Sequence, residues 1–296
     1  MRDIALKGEL VSFTTKDGLM LYGLLARPKR KSGIALINVH GLTGNFYRSS
    51  YVKALAKAAV AANLNFLTIE ERGSYIAFRP RLKNKNSKKY MAGGAFEKFE
   101  DSVFDIEGAI RFLGGLGIKK IFLIGHSTGC QKVTYYQYKK KDKRVKAIIL
   151  LAPADDYNLQ KAELGKQFGS AAAFAKRNKN HKDALMPGRY TKALLGVKRF
   201  LSFSDLRFAE ARLFNYESNK LKEFGTIRQP ILALFGDKEE YALKPVREYM
   251  KILERDTRSK RFDYLIIKGA DHGFVGKEKN AAKAIMRWLG SPKLKK

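Results

Sequence analysis

The 296-residue sequence predicts an α/β fold, in which helices cover both faces of a mostly parallel β-sheet. Three observations support this prediction. Short apolar runs of strand length alternate with helical patterns along most of the chain. An Asp-Gly turn signal at residues 17–18 separates two alternating segments and indicates an antiparallel hairpin at one edge of the sheet. A helical and polar block, residues 155–226, interrupts the alternation once.

The elements follow one another in the order that a parallel sheet requires. After the hairpin at residues 9–27, the predicted strands are 33–41, 65–73, 119–126, 145–154, 229–237 and 262–273. The predicted helices between and after them are 49–64, 97–117, 128–140, 242–256 and 278–290. We therefore expect an eight-stranded type of sheet, with its functional residues at the carboxyl ends of the strands.

The interruption sets the expected domain organisation. Residues 1–154 and 227–296 together form one core domain, and residues 155–226 form a helical insertion that acts as a cap over the sheet. Three aromatic residues of this insertion are candidates either for lining a substrate pocket or for the insertion's own small core: Phe203, Phe208 and Phe214.

The charge balance is strongly basic, with 59 Lys and Arg against 28 Asp and Glu and a formal net charge of +31. Such a surface attracts nucleic acid, anionic membranes or acidic substrates, unless it is simply a solvated lysine-rich surface. No RNA-binding motif or aromatic stacking pattern is present, so we expect any nucleic-acid binding to be nonspecific. No apolar run reaches the length of about 18 residues that a membrane span needs.

The remaining composition argues for a cytoplasmic protein without a cofactor. The single cysteine, Cys130, excludes an intrachain disulfide. The N-terminal residues contain no apolar run of signal-peptide length. The sequence also has no glycine-rich phosphate loop and no metal-ligand cluster, so we predict neither a cofactor nor a metal site.

Four polar segments lie at the carboxyl ends of predicted strands: His40-Gly41 and three others that carry the candidate nucleophile, acid and base. Gly125-His126-Ser127-Thr128-Gly129 lies between a strand and a helix, Gly236-Asp237-Lys238-Glu239 follows the next-to-last strand, and His272 follows the last one. A serine hydroxyl is a weak nucleophile that needs an adjacent base, and a carboxylate can orient that base and stabilise its charged form. We therefore predict Ser127 as nucleophile and His272 as base, with a carboxylate from the segment that ends in Glu239.

The order serine, acid, histidine along the chain resembles that of the α/β-hydrolase superfamily, and the resemblance covers nearly the whole sequence. Family members carry the acid three residues after the glycine that ends its strand, which implies Glu239 here, with the nearer Asp237 as the alternative. Backbone N–H groups form the oxyanion hole in this family. The resemblance implies Leu42 and Thr128 as their donors, and Thr128 also stands at a helix N-terminus, where negative charge is favoured.

Longer strings narrow the resemblance. "IGHSTGCQ", "GDKEEY" and "IKGADHGF" are similar to a fungal and plant group related to siderophore ester hydrolases. "HGLTGNFYRSSYVKALAKA" also resembles the feruloyl esterase and dienelactone hydrolase branch. Both resemblances imply a carboxylic ester hydrolase that acts on small or medium esters through an acyl-enzyme on Ser127.

Other functions remain open at this point. A peptidase or a thioesterase uses the same three residues. A non-catalytic protein of the hydrolase fold, or a basic protein that binds polyanions, is the alternative from another class. Among esters, acidic substrates are one option that the charge leaves open. The basic stretch 79–89 either guides them or is an ordinary mobile loop, and Arg72 is a candidate partner for a substrate carboxylate.

Overall fold

The computed structural model describes residues 6–83, 91–181 and 183–291. Its strands are β1 (Glu9–Thr14), β2 (Leu19–Ala26), β3 (Ile34–Val39), β4 (Asn65–Ile69), β5 (Arg81–Leu82), β6 (Lys120–His126), β7 (Val145–Leu151), β8 (Ile231–Gly236) and β9 (Phe262–Ile267). Its helices are α1 (Ser50–Ala61), α2 (Ser102–Gly115), α3 (Thr128–Lys140), α4 (Asp156–Leu164), α5 (Phe168–Asn178), α6 (Val197–Ser204), α7 (Ala209–Leu213), α8 (Val246–Asp256) and α9 (Glu278–Leu289).

The strands form one mixed sheet with the order β1-β2-β4-β3-β6-β7-β8-β9, and the two-residue strand β5 pairs with β2. The β1–β2 hairpin is antiparallel and lies at one edge, as the turn signal predicted. From β4 to β9 every neighbouring pair is parallel. The predicted fold class is therefore confirmed.

The central strands are buried because apolar residues occupy both of their faces. All side chains of β4 and β8 are buried, and those of β3, β6 and β7 are buried except near the first residues of each strand. Helices cover the sheet on both sides, with α1 packed against α9 and α2 against α3. This arrangement brings the carboxyl ends of β3, β6, β7 and β8 to the same edge of the sheet.

Helices α4 to α7, which we call the helical segment (residues 156–213), interrupt the alternation between β7 and β8. The segment has an apolar cluster of its own, separate from the main core. The buried members of this cluster are Ala171, Ala175, Met186, Leu195, Val197, Phe200, Leu201 and Phe203. That the segment works as a cap, and that its bounds are 155–226, stay predictions.

Candidate active site

Ser127 occupies the sharp turn between β6 and α3. Its backbone has a φ of 54° and a ψ of −127°, an unfavourable conformation for a residue with a side chain. The two flanking glycines permit this turn. A Cβ on Gly125 would lie 2.3 Å from the carbonyl oxygen of Gly129, and one on Gly129 would lie 2.4 Å from that of Val39. The glycines therefore allow helix and strand to approach closely enough to present Ser127 at the edge of the sheet.

His272 and Glu239 meet at the ends of the two last strands. The Nδ1 atom of His272 lies 2.7 Å from Oε1 of Glu239, and the Glu239 side chain is only 3% exposed. The other two acids of that loop bind backbone instead. Asp237 Oδ1 accepts a hydrogen bond from the Gly269 N–H at 2.6 Å, and Glu240 Oε2 accepts one from the His272 N–H at 2.9 Å. Of the two acids predicted for this role, Glu239 is the one that contacts the imidazole.

His126 adds a contact that the sequence pattern did not predict. Its Nε2 lies 2.9 Å from the backbone oxygen of His272, so Nε2 carries the proton and donates it. The two imidazole rings lie 4.8 Å apart, and the Tyr241 ring packs edge-on against His272 at 4.7 Å. Burial, and next the neighbouring His272, lower the pKa of His126 to about 3, so His126 is a neutral group that holds the His272 backbone.

The two residues predicted for the oxyanion hole both lie next to Ser127. Thr128 is the first residue of α3. A Cβ on Gly41 would lie 2.8 Å from Cβ of Ser127, which shows how closely the loop that contains Leu42 passes the serine. His40 fixes this loop through Nε2, which lies 2.7 Å from the Ser74 hydroxyl. The position of both residues is consistent with their predicted role, which stays a prediction.

A cavity of about 690 Å³ contains Ser127 and His272 in its lining. The loop at residues 41–44 and Thr128, the first residue of α3, line one part of it. The helical segment lines another part through Asp156, Leu159, Gln160, Ala162, Glu163, Arg199 and Phe203. Of the three predicted aromatic candidates, only Phe203 reaches the cavity; Phe208 packs against the segment's own cluster and Phe214 belongs to the main core.

The prediction that Arg72 meets a substrate carboxylate is wrong. The Arg72 side chain is only 4% exposed, and its Nη2 lies 2.7 Å from Oδ1 of Asp105. Its Nη1 lies 3.0 Å from Oδ2 of Asp17. Arg72 therefore ties the N-terminal hairpin to α2. In the basic stretch 79–89, residues 84–89 lie outside the described residues, and its role as a guide stays a prediction.

A chain of buried charges lies beneath the cavity and joins the helical segment to the core. Lys132 of α3 places Nζ 2.7 Å from Glu71 and 2.8 Å from Glu97. Glu97 in turn lies 3.2 Å from Nη2 of Arg199, and Arg199 also pairs with Glu210 of α7. Burial opposes the ionisation of Glu97, but Lys132 and Arg199 together hold its pKa below its usual value. These two cations and three carboxyl groups are all buried, and burial raises the pKa of Glu71 to about 7, which reduces the excess of negative charge.

Removing Lys132, the cation between Glu71 and Glu97, is expected to destabilise the protein. The Lys132→Met variant keeps an apolar stem of similar length but leaves Glu71 without its cation and leaves Glu97 with Arg199 alone. We expect the free energy of unfolding to fall by about 3–5 kcal/mol, because an unpaired buried charge is costly. Urea-induced unfolding of both proteins measures the difference.

A matched control comes from the same helix. Lys140 pairs with Glu107 at 3.0 Å, but both side chains are partly exposed. Lys140→Met is therefore expected to cost less than about 1 kcal/mol. Equal decreases in the free energy of unfolding of the two variants would contradict a stabilising role for the buried charged side chains.

Neither a metal cluster nor a membrane-spanning helix occurs in the part of the chain that the structure describes. No group of three or more His, Cys, Asp or Glu side chains suited to a metal ion is found within residues 6–83, 91–181 and 183–291. Within the same ranges, no helix is both long enough and apolar enough to cross a bilayer.

Comparisons with known proteins place the chain among hydrolase-fold proteins. The family model described as "Protein of unknown function (DUF1749)" matches residues 7–289. A search of curated proteins found no match. Among solved structures, Est1E from Butyrivibrio proteoclasticus, determined with ferulic acid bound, has a TM-score of 0.62 and 16% identity. That match covers 94% of this chain and 98% of Est1E.

Two further structures give the same result. The esterase Pf2001 from Pyrococcus furiosus has a TM-score of 0.61 and 15% identity, with 97% of this chain and 94% of that chain covered. An alpha-beta serine hydrolase homologue from Coxiella burnetii has a TM-score of 0.56 and 16% identity, covering 97% of this chain and 100% of the other. At these identities the matches show a shared fold.

Proposed function

The chain belongs to the DUF1749 family and has the α/β-hydrolase fold, and we propose that it is a serine hydrolase of carboxylic esters. One observation carries this proposal. A buried carboxylate, Glu239, holds the imidazole of His272 at 2.7 Å, and His272 lines the same cavity as Ser127 on its strained turn. This set of groups supplies a nucleophile, a base and an orienting acid for acyl transfer.

In the proposed reaction the Ser127 hydroxyl attacks the ester carbonyl carbon while His272 accepts its proton. Glu239 keeps the imidazole oriented and stabilises its charged form. The negative charge that develops on the carbonyl oxygen is bound by the backbone N–H groups of Leu42 and Thr128. The intermediate then collapses to an acyl-enzyme as His272 returns the proton to the leaving alcohol. A water molecule, deprotonated by His272, releases the acid and restores Ser127.

The helical segment supports a role in substrate selection. It contributes seven of the residues that line the cavity, so it forms a wall around the reacting bond. We propose that residues 155–226 act as the cap of the site. A cavity of about 690 Å³ has room for an ester of small or medium size. Est1E binds ferulic acid, which makes aryl and cinnamoyl esters a reasonable part of a first substrate panel.

Labelling with a fluorophosphonate probe tests the proposal, because such probes react with activated serines. Mass spectrometry of the treated wild-type protein is expected to find the probe on the peptide that contains Ser127, and an ester substrate is expected to slow the labelling. The Ser127→Ala variant is the control and is expected to carry no probe on this peptide. A folded wild-type protein that takes up no probe and cleaves no ester would contradict the proposal and favour a binding function.

The same panel separates the enzyme classes. Esters, thioesters and peptide amides of one acyl group are compared by kcat/KM, and the proposal expects the ester to be cleaved while the amide is not. Preference for the thioester or the amide would assign the same three residues to a thioesterase or a peptidase.

A further inference from the structure

Asp156 is a polar group of the cavity that the proposed reaction does not use. It is the first residue of α4 and lines the cavity together with Ser127 and Thr128. Its Oδ2 accepts hydrogen bonds from Nε2 of Gln131 at 2.7 Å and from the Thr128 hydroxyl at 3.5 Å. Its Oδ1 accepts none from the residues that the structure describes, and the side chain is partly exposed to the cavity.

The hydrogen bond from Gln131 fixes which oxygen of Asp156 can carry a proton. Nε2 of Gln131 has two hydrogens; one goes to the Ala154 carbonyl at 2.9 Å and the other to Oδ2 of Asp156. Oδ2 is therefore an acceptor whether or not the acid is ionised. The proton of the neutral acid lies on Oδ1, the atom left free for a ligand.

The surroundings of Asp156 favour the neutral acid at neutral pH. Burial, and next the negative charge of Glu210, raise the pKa of Asp156 to about 8, with a smaller contribution from Asp155. Arg199 acts in the opposite direction. Burial is the largest of these influences, and Arg199 also pairs with Glu97 and Glu210.

The cavity offers no free cation among the described residues of its lining. Arg199 is the only Lys or Arg there, and Glu97 and Glu210 already compensate its charge. The titratable carboxyl groups of the described lining are those of Asp156 and Glu163. A substrate carboxylate in this cavity would therefore meet the carboxyl group of Glu163, and no free cation of the described lining would balance its charge. Within the described lining, the high net positive charge of the protein does not extend into the proposed active site.

We propose that Asp156 is a specificity-determining residue that selects esters carrying a neutral hydroxyl group, in either the acyl or the alcohol part, over esters carrying a carboxylate. This inference rests on the proposed function. A hydroxyl fits best because it can pair with both forms of Asp156: it accepts the Oδ1 proton of the neutral acid and donates to Oδ1 when the acid is ionised. A substrate carboxylate can pair only with the neutral acid, and the ionised form repels it. The proposed selectivity runs against acidic substrates, the option that the net charge of the whole chain leaves open.

The test compares matched esters at pH 7. The first series varies the acyl part and contains the butyrate, 3-hydroxybutyrate and succinate esters of one phenol. The second series varies the alcohol part and contains the acetates of phenols with and without an extra hydroxyl. In at least one series the wild-type protein is expected to prefer the hydroxylated ester by about tenfold in kcat/KM. The succinate ester is expected to fall about tenfold below the butyrate. A wild-type protein without hydroxyl preference in either series, or one that prefers the succinate, overturns the inference.

Variants assign the preference to Asp156. Asp156→Ala removes the free oxygen, and the ratio between the hydroxylated ester and its parent is expected to fall to about one. Asp156→Asn can keep the bond with Gln131 through its oxygen and present an N–H to the cavity, so the ratio is expected to stay above that of Asp156→Ala. Glu163→Gln removes the other carboxylate, at an exposed position, and is the matched control expected to keep the wild-type ratio.

The outcomes separate this inference from the proposed function. Hydrolysis of the parent esters with a hydroxyl preference that survives in Asp156→Ala would overturn the role of Asp156 alone. Absence of both ester cleavage and fluorophosphonate labelling would overturn the proposed function itself. If Asp156→Ala does not fold, the wild-type protein and the Asp156→Asn variant test the inference. A kcat/KM ratio between the hydroxylated ester and its parent that falls to about one in Asp156→Asn would then contradict a role of position 156 as hydrogen-bond donor.

Discussion

The Ser127→Ala variant is expected to lose ester hydrolysis by a factor on the order of 10⁶ in kcat, with KM much less affected. This variant removes only the oxygen that we propose as the nucleophile, so we expect the substrate-binding cavity to be kept. Any remaining rate comes from the oxyanion donors and from substrate binding. Stopped assays of acid release at high enzyme concentration measure this residual rate. Thermal unfolding of the variant shows whether the fold is retained.

Ser49→Ala is the matched control, because Ser49 also lines the cavity and precedes α1 without a side-chain capping bond. We expect it to change kcat by less than about threefold, since the substitution breaks no side-chain capping bond. A Ser127→Ala variant with activity similar to that of Ser49→Ala would refute Ser127 as the nucleophile.

Exchange of the carboxylate at position 239 has the second largest expected effect. Glu239→Gln keeps the size of the side chain but replaces the anion that faces Nδ1 of His272. We expect kcat to fall by about 10³- to 10⁴-fold, because an amide at this position favours the wrong tautomer of the imidazole and cannot stabilise its charged form. Initial rates with the best ester of the panel measure the loss.

The neighbouring acid provides the comparison for this variant. Asp237→Asn changes an exposed carboxylate that binds the Gly269 N–H, and its amide oxygen can accept the same hydrogen bond. We expect less than about a tenfold decrease in kcat. The reverse ranking of the two variants would transfer the role of the acid from Glu239 to Asp237.

Much of the fold follows from local patterns in the sequence. The parallel strands β3, β6, β7 and β8 are apolar along almost their whole length, and such runs are buried wherever they lie in the sheet. The strained turn at Ser127 is also locally encoded, since glycines stand two residues before and two residues after it. Position along the chain was therefore enough to predict the place of Ser127 and His272 at one edge of the sheet.

The partners of charged side chains depend on contacts between distant segments, and the sequence does not show them. Arg72 and Asp105 are 33 residues apart, and nothing in the pattern around Arg72 indicates that the acid on α2 neutralises it. Gln131 and Asp156 are separated by 25 residues and meet only because α3 and α4 begin at the same edge of the sheet. A polar residue at the start of a helix after a strand is the one signal that would have marked Asp156 as a candidate.

The buried chain from Lys132 through Glu97 to Arg199 also limits how the helical segment can be exchanged between proteins. A recombinant hydrolase that receives residues 155–226 would gain Arg199 and Glu210 but not Glu97, whose side chain comes from the core. The transplanted pair would then face whatever residue the recipient carries at that position. Chimeras of this family are thus expected to need Glu97 and Lys132 transferred as part of the same module, although both lie outside it in sequence.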